Sequence, residues 1–490
     1  MNKKVILIIL DGFGIGNTDK NNAIYSAEPE TWNLLKKEYP NIELHASEEY
    51  VGLPKNQFGN SEVGHLTIGS GKIIKIGLPL INDYINKGNF KKNKKLLDAI
   101  NNCKKNNSNF HIFGIYSTGG VHGYFQHINE LINICNQNNL IPITHLFSDG
   151  RDTESTEFNQ IYKKFDDIYL KHNKAILGSI SGRYWSMDRN SDFEKTDKIV
   201  NLLFENNNQL TVDEYFDKEK NNSDEFFEPI SFLNETNYLK NNDTCFFTNY
   251  RNDRIWQIVK RIKNNDFNAN LKTLSLVELK SNDFDNYILS LDIKNKSIGM
   301  IIEENNLRQI RIAESEKFPH VTYFFDSLKT IDLKNYKSVK IESKKVKTYD
   351  LYPKMSASEI TDEIIKNIND FDFFVVNYAN ADMVGHSGKL LETKQAISFI
   401  DNELKILYNN IVLNNLATLV ITSDHGNADI MVDLKNKEVK THTLNKVPFL
   451  ITDKNILLDD NENNSLTNIA NTILKLLGID QDKDKDKALF

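Results

Sequence analysis

The sequence contains few cysteines and no long apolar run. Its 490 residues include three cysteines, Cys103, Cys135 and Cys245, none with the C-x-x-C spacing of a thiolate zinc site. We therefore expect free, buried thiols in a reducing cytosol rather than a disulfide framework. No apolar run approaches the ~20 residues of a membrane span. Residues 5–10 follow two lysines, but this run is too short for a signal peptide, so we predict a cytoplasmic protein without membrane association.

The chain also lacks an excess of positive charge. Lys and Arg number 60 against 67 Asp and Glu, a net charge of -7, so a chain-wide surface for nucleic acid is not expected and only a local basic pocket remains possible. A hydrophobic fraction of 40% excludes a wholly disordered protein. The absence of a fixed-period repeat excludes a solenoid.

Short, nearly continuous apolar runs recur along the chain, and each ends in polar residues. Such runs are typical of strands buried on both faces of a parallel α/β sheet. Stretches 158–171 and 391–408 have helical spacing and the length of connecting helices. Ligands of open α/β sheets bind beyond the carboxyl ends of the strands, which is where we look for chemistry. The runs occupy 5–10, 110–116, 141–147, 175–180, 245–248, 371–376 and 416–422.

The polar ends of these runs fall into two groups. The first run and the last two end in Asp and His, whereas the middle four end in Arg, Asp and His. Length suggests two to four domains, but this order predicts one α/β domain inserted into another. We assign 1–75 and 293–490 to a discontinuous outer domain and 76–292 to the insert. The tail, 481–487, alternates Asp and Lys and is expected to be solvated or frayed.

Six residues of the outer domain are candidate metal ligands. Asp382 and His386 are spaced i, i+4, so one helical face presents both to a single ion. Three carboxylates and three imidazoles exceed the needs of one tetrahedral ion, and mixed O/N ligation suits two divalent ions such as zinc or manganese. The glycines at 12–16 lack the full G-x-G-x-x-G spacing of a dinucleotide site. The candidate ligands are Asp11, Asp382, His386, Asp424, His425 and His442.

Ser61 is a candidate nucleophile. It stands in the sequence NSEVGH before an apolar stretch, where a serine is most simply the N-cap of a helix. In the functional interpretation, a helix N-terminus and a metal ion would both stabilise its alkoxide. The sequence leaves both interpretations open.

Four motifs in the outer domain resemble the cofactor-independent phosphoglycerate mutases of the alkaline phosphatase-like superfamily. These are LDGFG at 10–14, NSEVGH at 60–65, NYANADMVGH at 377–386 and SDHGNAD at 423–429. The resemblance implies an α/β/α sandwich domain with a second α/β domain inserted. It also implies two metal ions, usually Mn²⁺, with Mg²⁺, Co²⁺ or Zn²⁺ as alternatives, one held by Asp382, His386 and His442. The other is held by Asp11, Ser61, Asp424 and His425, and Ser61 becomes phosphoserine.

The insert carries a cluster of arginines at its strand ends. Guanidinium groups bind phosphate and carboxylate bidentately, so the cluster suits a phosphorylated carboxylic acid. SDGRD at 148–152, GRYWSMDR at 182–189 and NYRNDR at 249–254 resemble the substrate motifs of the same family, and Lys317, outside the insert, resembles a substrate-site lysine. Gly123, Tyr124, Trp185 and Asn252 depart from its usual residues. The candidates are His122, Arg151, Asp152, Arg183, Arg189, Arg251, Arg254 and Lys317.

The resemblance implies interconversion of 3-phosphoglycerate and 2-phosphoglycerate, a step of glycolysis, by a monomer that needs no 2,3-bisphosphoglycerate. We hypothesise that Ser61 attacks the phosphoryl group, that Lys317 protonates the leaving oxygen and that Asp152 is the base for the other hydroxyl. Domain closure would exclude water. Another phosphatase or phosphomutase of the superfamily, or a non-catalytic binding protein, remains an alternative.

Overall fold

The chain is described by a computed structural model covering 4–188, 192–205, 208, 210–264, 270–279, 284–290, 295–330, 334–433 and 435–490. The candidate Arg189 and the side chain of Asn252 lie outside the described residues. The chain divides into two compact units, unit 1 comprising Met1–Lys75 and Ile293–Phe490, and unit 2 comprising Ile76–Asp292. Among the helices that the structure describes, none combines the length and apolarity needed to cross a bilayer.

The strands are numbered in chain order. They are β1 (Val5–Leu10), β2 (Asn41–Leu44), β3 (Phe110–Ile115), β4 (Ile143–Ser148), β5 (Ile176–Gly182), β6 (Ile230–Ser231), β7 (Thr244–Phe247), β8 (Lys272–Val277), β9 (Asn286–Leu289), β10 (Gln309–Glu314), β11 (Tyr336–Ile341), β12 (Phe373–Tyr378), β13 (Thr418–Thr422) and β14 (Val447–Ile451). Each of the seven apolar runs of the sequence overlaps one of these strands.

The α-helices are numbered in the same way. They are α1 (Ala23–Ser26), α2 (Glu30–Glu38), α3 (Ser61–Ser70), α4 (Gly77–Asn86), α5 (Lys94–Asn106), α6 (Phe125–Gln137), α7 (Phe158–Phe165), α8 (Arg183–Ser186), α9 (Phe193–Phe204), α10 (Val212–Glu219), α11 (Asn252–Lys263), α12 (Ile298–Glu304), α13 (Ala357–Asn367), α14 (Asn380–Gly385), α15 (Leu390–Leu407) and α16 (Ile469–Leu476). Single π-helical turns occupy Asp166–Leu170, His320–Phe324 and Tyr408–Val412. Short 3-10 turns occupy Glu48–Val51, Asp224–Phe226, Tyr349–Leu351 and Leu466–Asn468.

Unit 1 is built on a seven-stranded sheet of order β11-β10-β12-β1-β13-β14-β2. β1 lies between β12 and β13 and runs parallel to both, whereas β14 pairs antiparallel with β13 and β2. Every residue of β1 is buried. Because strand side chains alternate between faces, Ile6, Ile8 and Leu10 join one core with α13 and α15, and the residues between them cover the opposite face. The continuous apolar run of β1 therefore reflects a strand covered on both faces.

Unit 2 contains a second seven-stranded sheet, of order β6-β5-β4-β3-β7-β8-β9. Its pairs are parallel except for the short β5–β6 pair. The carboxyl ends of β3, β4, β5 and β7 are followed by His122, by Arg151 and Asp152, by Arg183, and by Arg251 and Arg254. The α/β fold class with largely parallel sheets is confirmed.

Most residues of the tail at 481–487 are exposed, as expected, but the tail is not frayed, and Lys485 is an exception to the exposure. Lys485 is only 7% exposed and Leu489 is buried. The amide of Asp486 donates to the carbonyl of Gly71 at 2.9 Å, and the side chain of Asn471 bonds the backbone of Asp482 and Asp486. The alternating charges hid these contacts, since a buried lysine paired with backbone carbonyls has no recognisable sequence pattern.

Candidate metal centre and substrate pocket

Three carboxylates of unit 1 converge at the carboxyl ends of its central strands. Asp11 directly follows β1, and Asp424 follows β13. Asp382 lies in the first turn of α14, shortly after the end of β12. Parallel pairing of β1 with both neighbours brings these ends to one edge. All three side chains are almost fully buried. Gly12 adopts a left-handed φ of 74°, and a Cβ there would lie 2.8 Å from Asp382 Cα, so glycine is required for this close approach.

Ser61 is the first residue of α3, and it is not the N-cap. Asn60 caps the helix, with its side chain accepting a hydrogen bond from the amide of Val63 at 3.0 Å. The Ser61 hydroxyl is thereby free for other contacts. It donates to Asp11 Oδ1 at 3.2 Å and lies 3.0 Å from His425 Nε2. The simple capping interpretation is therefore wrong, and the serine faces the carboxylate cluster.

Lys317 lies in the centre of this cluster. Its Nζ donates to Asp11 Oδ1 and Ser61 Oγ, each at 2.7 Å, and to Asp382 Oδ2 at 2.8 Å. The residue is only 4% exposed. Burial by itself would lower the pKa of its ammonium, but the carboxylates of Asp11 and Asp382 outweigh burial and raise the pKa above its ordinary value. Lys317 is therefore a buried, charged group within the carboxylate cluster and not a surface lysine.

The predicted histidine ligands surround Asp382 and Ser61. His386 Nε2 and His442 Nε2 each lie 3.3 Å from Asp382 Oδ1 and 3.1 Å from each other. The His425 ring stacks on that of His442 with centroids 3.9 Å apart. Burial lowers the pKa of His425 to about 4, so its imidazole is neutral near pH 7, which is the form that binds metals.

This cluster fits divalent metal ions. Within the described chain, Asp382, His425 and His442 place ligand atoms within 4.8 Å of one another, as do Asp11, Asp424 and His425. Three buried carboxylates face one ammonium, an imbalance that is costly without further cations. Consistent with this, burial and the neighbouring Asp424 raise the pKa of Asp11 above its ordinary value. Asp424 Oδ2 is buried, and among the described residues it accepts no well-directed hydrogen bond, although His65 Nδ1 lies 3.2 Å from it; such an oxygen is available to a metal ion.

The sequence argument missed three polar residues that orient these groups. Asn377 Nδ2 donates to Asp11 Oδ2 at 2.7 Å, and Asn427 Nδ2 donates to Asp382 Oδ1 at 2.9 Å. His65 Nδ1 lies 2.9 Å from the carbonyl of Ser61 and 3.2 Å from Asp424 Oδ2. All three stand inside the quoted motifs, so their position beside the candidate ligands was the available signal.

In unit 2, three of the five predicted arginines line a cavity of about 300 Å³, whereas Arg251 does not. Arg151, Arg183 and Arg254 contribute to it, together with Lys195, which the sequence did not single out. Two acidic residues, Asp188 and Glu225, complete its charged lining. The excess of cationic groups suits a small anion with more than one negative group.

Asp149 organises this cavity, although the sequence argument assigned it no role. Its carboxylate accepts from Ser117 Oγ and Arg183 Nη1, both at 2.6 Å, and from the amide of Asp152 at 3.0 Å. Burial raises the pKa of Asp149, but these hydrogen bonds and Arg183 outweigh burial and hold it below its ordinary value. Asp149 therefore stays ionised and fixes the guanidinium of Arg183.

Asp152 and His122 lie beside Arg183. Arg183 Nη1 donates to Asp152 Oδ2 at 2.5 Å, and His122 Nε2 lies 3.8 Å from the same oxygen. The amide of Tyr250 donates to the carbonyl of His122 at 2.9 Å, which brings the loop carrying Arg251 to the same place. The described candidates of the insert are thus connected through backbone and side-chain contacts.

The departures from the family pattern have local explanations. A Cβ at Gly123 would lie 2.6 Å from Ile115 Cγ2. The ring of Tyr124 packs against Phe125, with centroids 5.0 Å apart. Trp185 Nε1 donates to the carbonyl of Phe226 at 3.3 Å, so its larger ring is anchored at the outer edge of the pocket.

Fold and site together define a metal-dependent enzyme of the metalloenzyme superfamily, whose family model matches residues 3–481. The chain belongs, within it, to the 2,3-bisphosphoglycerate-independent phosphoglycerate mutase family. It is 42% identical to the member from Malacoplasma penetrans, over 99% of this chain and 98% of that one. It is 38% identical to the member from Mycoplasma pneumoniae, over 98% and 97% of the two chains. The predicted family is confirmed.

A solved structure supports the fold independently. A crystal structure of Leishmania mexicana phosphoglycerate mutase matches with a TM-score of 0.75 and 23% sequence identity. The match covers 100% of this chain and 98% of the other. At this identity the likeness concerns the fold, and it extends over both units.

Proposed function

We propose that this chain interconverts 3-phosphoglycerate and 2-phosphoglycerate through a phosphoserine at Ser61, without 2,3-bisphosphoglycerate. The observation that carries the proposal is the placement of the Ser61 hydroxyl. Asn60 performs the capping role, and Ser61 Oγ lies within 3.2 Å of Asp11, His425 and Lys317. Relatives of the chain with the same named activity align over nearly its whole length.

In the first half of the proposed reaction, Ser61 Oγ forms a bond to phosphorus while the bond to the glycerate oxygen breaks. The amide end of α3 and the Lys317 ammonium stabilise negative charge on Oγ. Ser61 reacts as its alkoxide, having lost its proton to solvent before the cycle begins, and it leaves as the alkoxide in the second half. Lys317 donates the proton that the leaving oxygen takes up, and the proton that Asp152 later removes from the other hydroxyl restores the ammonium. Asp382, His386 and His442 are proposed to hold one divalent ion, and Asp11, Ser61, Asp424 and His425 the other. These ions, proposed to be Mn²⁺, would offset charge on the transferring oxygens when bound.

In the second half, unit 2 is proposed to retain glycerate. Arg151, Arg183 and Arg254 line the cavity that is proposed to bind its carboxylate and hydroxyl oxygens. Asp152 is the proposed base. One of its oxygens is held by Arg183, and the side chain is 22% exposed, so it remains accessible to a substrate hydroxyl. Proton removal by Asp152 lets the other hydroxyl attack phosphoserine and release Ser61.

The state of the cysteines supports a proposal about the cellular compartment. Cys103, Cys135 and Cys245 are free and buried, which supports a reducing compartment, and we propose a cytoplasmic enzyme. The monomeric state implied by the family resemblance remains a prediction.

The test uses purified chain, Mn²⁺ and 3-phosphoglycerate without 2,3-bisphosphoglycerate. We expect 2-phosphoglycerate to form, chelation to stop the reaction and Mn²⁺ to restore it. Ser61→Ala should lower kcat on the order of 10⁴-fold with unchanged circular dichroism. Ser398→Ala, on the exposed face of α15, is the matched control and should keep full activity.

Two results would contradict the proposal. Release of inorganic phosphate as the main product would indicate a phosphatase of the same superfamily. A Ser61→Ala variant that retains activity would show that Ser61 is not the nucleophile.

A further inference from the structure

The segment 481–490, named the tail segment, is docked against the C-terminal end of α3. Lys485 Nζ donates to the carbonyl of Ser70 at 2.7 Å and to that of Lys296 at 2.6 Å. The amide of Asp486 donates to Gly71, directly beyond the helix. The amide of Leu489 donates to Thr472 Oγ1 at 2.9 Å, so the segment is anchored to α16 as well.

These contacts satisfy the end of a helix that needs partners. The last carbonyl groups of an α-helix receive no hydrogen bond from an N–H group of the same helix, and they carry partial negative charge. Ser70 is the last residue of α3, and Gly71 ends the helix in the left-handed conformation with φ 67°. A Cβ at Gly71 would lie 2.8 Å from Lys485 Cδ and 2.6 Å from Ala470 Cβ. The lysine stem thus packs directly over the helix end.

The same helix begins with Ser61. Ser61 and Ser70 bound a ten-residue helix, about 14 Å long at 1.5 Å per residue. Along its length, Gly64 and Gly69 bring the helix against the backbone of Asp424 and Phe325. Such a short, closely packed helix moves as a rigid body, so displacement of its C-terminal end also displaces Ser61.

The charge state of Lys485 does not control the contact. Burial lowers its pKa to about 8, a shift that Lys72 adds to and that Asp482 and Asp484 oppose. Asp482 Oδ2 lies 3.8 Å from Nζ. Both the ammonium and the neutral amine have at least two N–H donors, enough for the carbonyls of Ser70 and Lys296.

We propose that Lys485 is a positioning residue, and that the tail segment latches the C-terminal end of α3 so that Ser61 Oγ is held against Asp11 and His425. The catalytic part of this inference rests on the proposed function. Because an error of about 1 Å in a reacting group can cost 10²-fold in rate, loss of the latch should lower kcat without changing substrate affinity.

The test compares Lys485→Met with Lys483→Met, an exposed neighbour in the same segment. We expect Lys485→Met to lower kcat about tenfold, with KM for 3-phosphoglycerate unchanged within about twofold. Hydrogen exchange in the peptide 61–71 should accelerate, while a peptide covering α2 stays unchanged. Lys485→Arg, which keeps donors at this position, should restore most of kcat. Lys483→Met should match the wild type in every measurement.

The proposal is overturned if kcat and α3 exchange are unchanged in Lys485→Met. It is equally overturned if exchange accelerates throughout unit 1, since that indicates general destabilisation. Where Lys485→Met does not fold, Lys485→Gln, which retains one shorter donor, serves in the same comparison. The exchange measurement needs no turnover, so it judges the latch even if the wild-type chain shows no mutase activity.

Discussion

Arg183 is firmly anchored in the arginine-lined cavity of unit 2. A single nitrogen, Nη1, bonds both Asp149 and Asp152, and the side chain is 4% exposed. The rest of the guanidinium plane is thereby directed by two carboxylates. Because these bonds already fix the guanidinium group, little side-chain entropy would be lost when a substrate binds to it.

We predict that Arg183→Lys raises KM for 3-phosphoglycerate by about 10- to 100-fold with little change in fold. A lysine ammonium cannot bridge both carboxylates and still present a planar fork to substrate. Steady-state kinetics with circular dichroism checks the expectation. Arg261→Lys, which alters an ion pair with Asp197 outside the cavity, is the matched control. A KM within twofold of the wild type for Arg183→Lys would contradict the proposed binding role.

At the residue scale, the sequence identified the candidate nucleophile and metal ligands that the structure brings together, but it did not identify the groups that orient them. Ser61, Asp11 and His425 occur in motifs with distinctive order. By contrast, Asp149 accepts side-chain hydrogen bonds from Ser117 and Arg183, which lie far apart in the chain. Lys195 belongs to helix α9 and lines the cavity from there. Contacts of this kind depend on tertiary packing that no local pattern records.

At the scale of elements, α3 is the most tightly constrained helix near the site. A Cβ at Gly69 would lie 1.9 Å from the carbonyl oxygen of Phe325. That oxygen belongs to backbone that follows the π-helical turn His320–Phe324 and has little freedom to move.

Gly69→Ala should therefore lower the free energy of unfolding by about 2–3 kcal/mol and reduce kcat, because α3 must shift to admit the methyl group. Urea unfolding and steady-state kinetics measure the two effects. Gly478→Ala is the control, since no atom lies within 4 Å of its Cβ and only its positive φ is unfavourable. That control should lose about 1 kcal/mol and keep kcat. Equal kcat in both variants would contradict the constraint on α3.

The apolar runs of the sequence predicted seven of the strands. They did not predict β10, because several of its buried residues are polar or charged. β10 is wholly buried, yet it contains Gln309, Arg311 and Glu314. Arg311 is accommodated by Gln309, at 2.7 Å, and by the aromatic ring of Phe325, 4.8 Å from its guanidinium. Gln309 lies in the same strand as Arg311, and Phe325 follows β10 in the chain. The charged residues therefore interrupt the apolar pattern, although packing in the folded chain accommodates them.

At the scale of the whole molecule, unit 2 carries a histidine that must stay neutral. His127 is 1% exposed, and its Nε2 donates to Asn82 Oδ1 at 2.9 Å. Its Nδ1 is buried and has no hydrogen-bond partner among the residues that the structure describes. The rings of Tyr124 and Tyr250 pack beside it. Burial lowers the pKa of His127 to about 3.

This lowered pKa predicts acid sensitivity. The unfolded chain binds a proton at this histidine near pH 6.5, whereas the folded chain does so only near pH 3, so stability falls as pH drops below 6.5. Between pH 7 and 5 the loss from His127 is about 2 kcal/mol. Urea unfolding at both pH values should show a loss smaller by this amount in His127→Gln, whose amide can still donate to Asn82. An identical loss in the variant and the wild type would contradict the assignment.

Because unit 1 is discontinuous in the sequence, the strands of its sheet are synthesised partly before and partly after unit 2. β1 leaves the ribosome early, but it pairs with β12 and β13, which are synthesised much later. In the same way, β2 pairs with the late strand β14. All strands of the second sheet, in contrast, are available once residue 292 has emerged. At roughly 5–20 residues per second, the apolar β1 remains unpaired on the order of ten seconds after the inserted unit is complete. We therefore expect unit 2 to fold while β1 is still unpaired, so that an apolar strand of the nascent chain is exposed to aggregation or to chaperone binding.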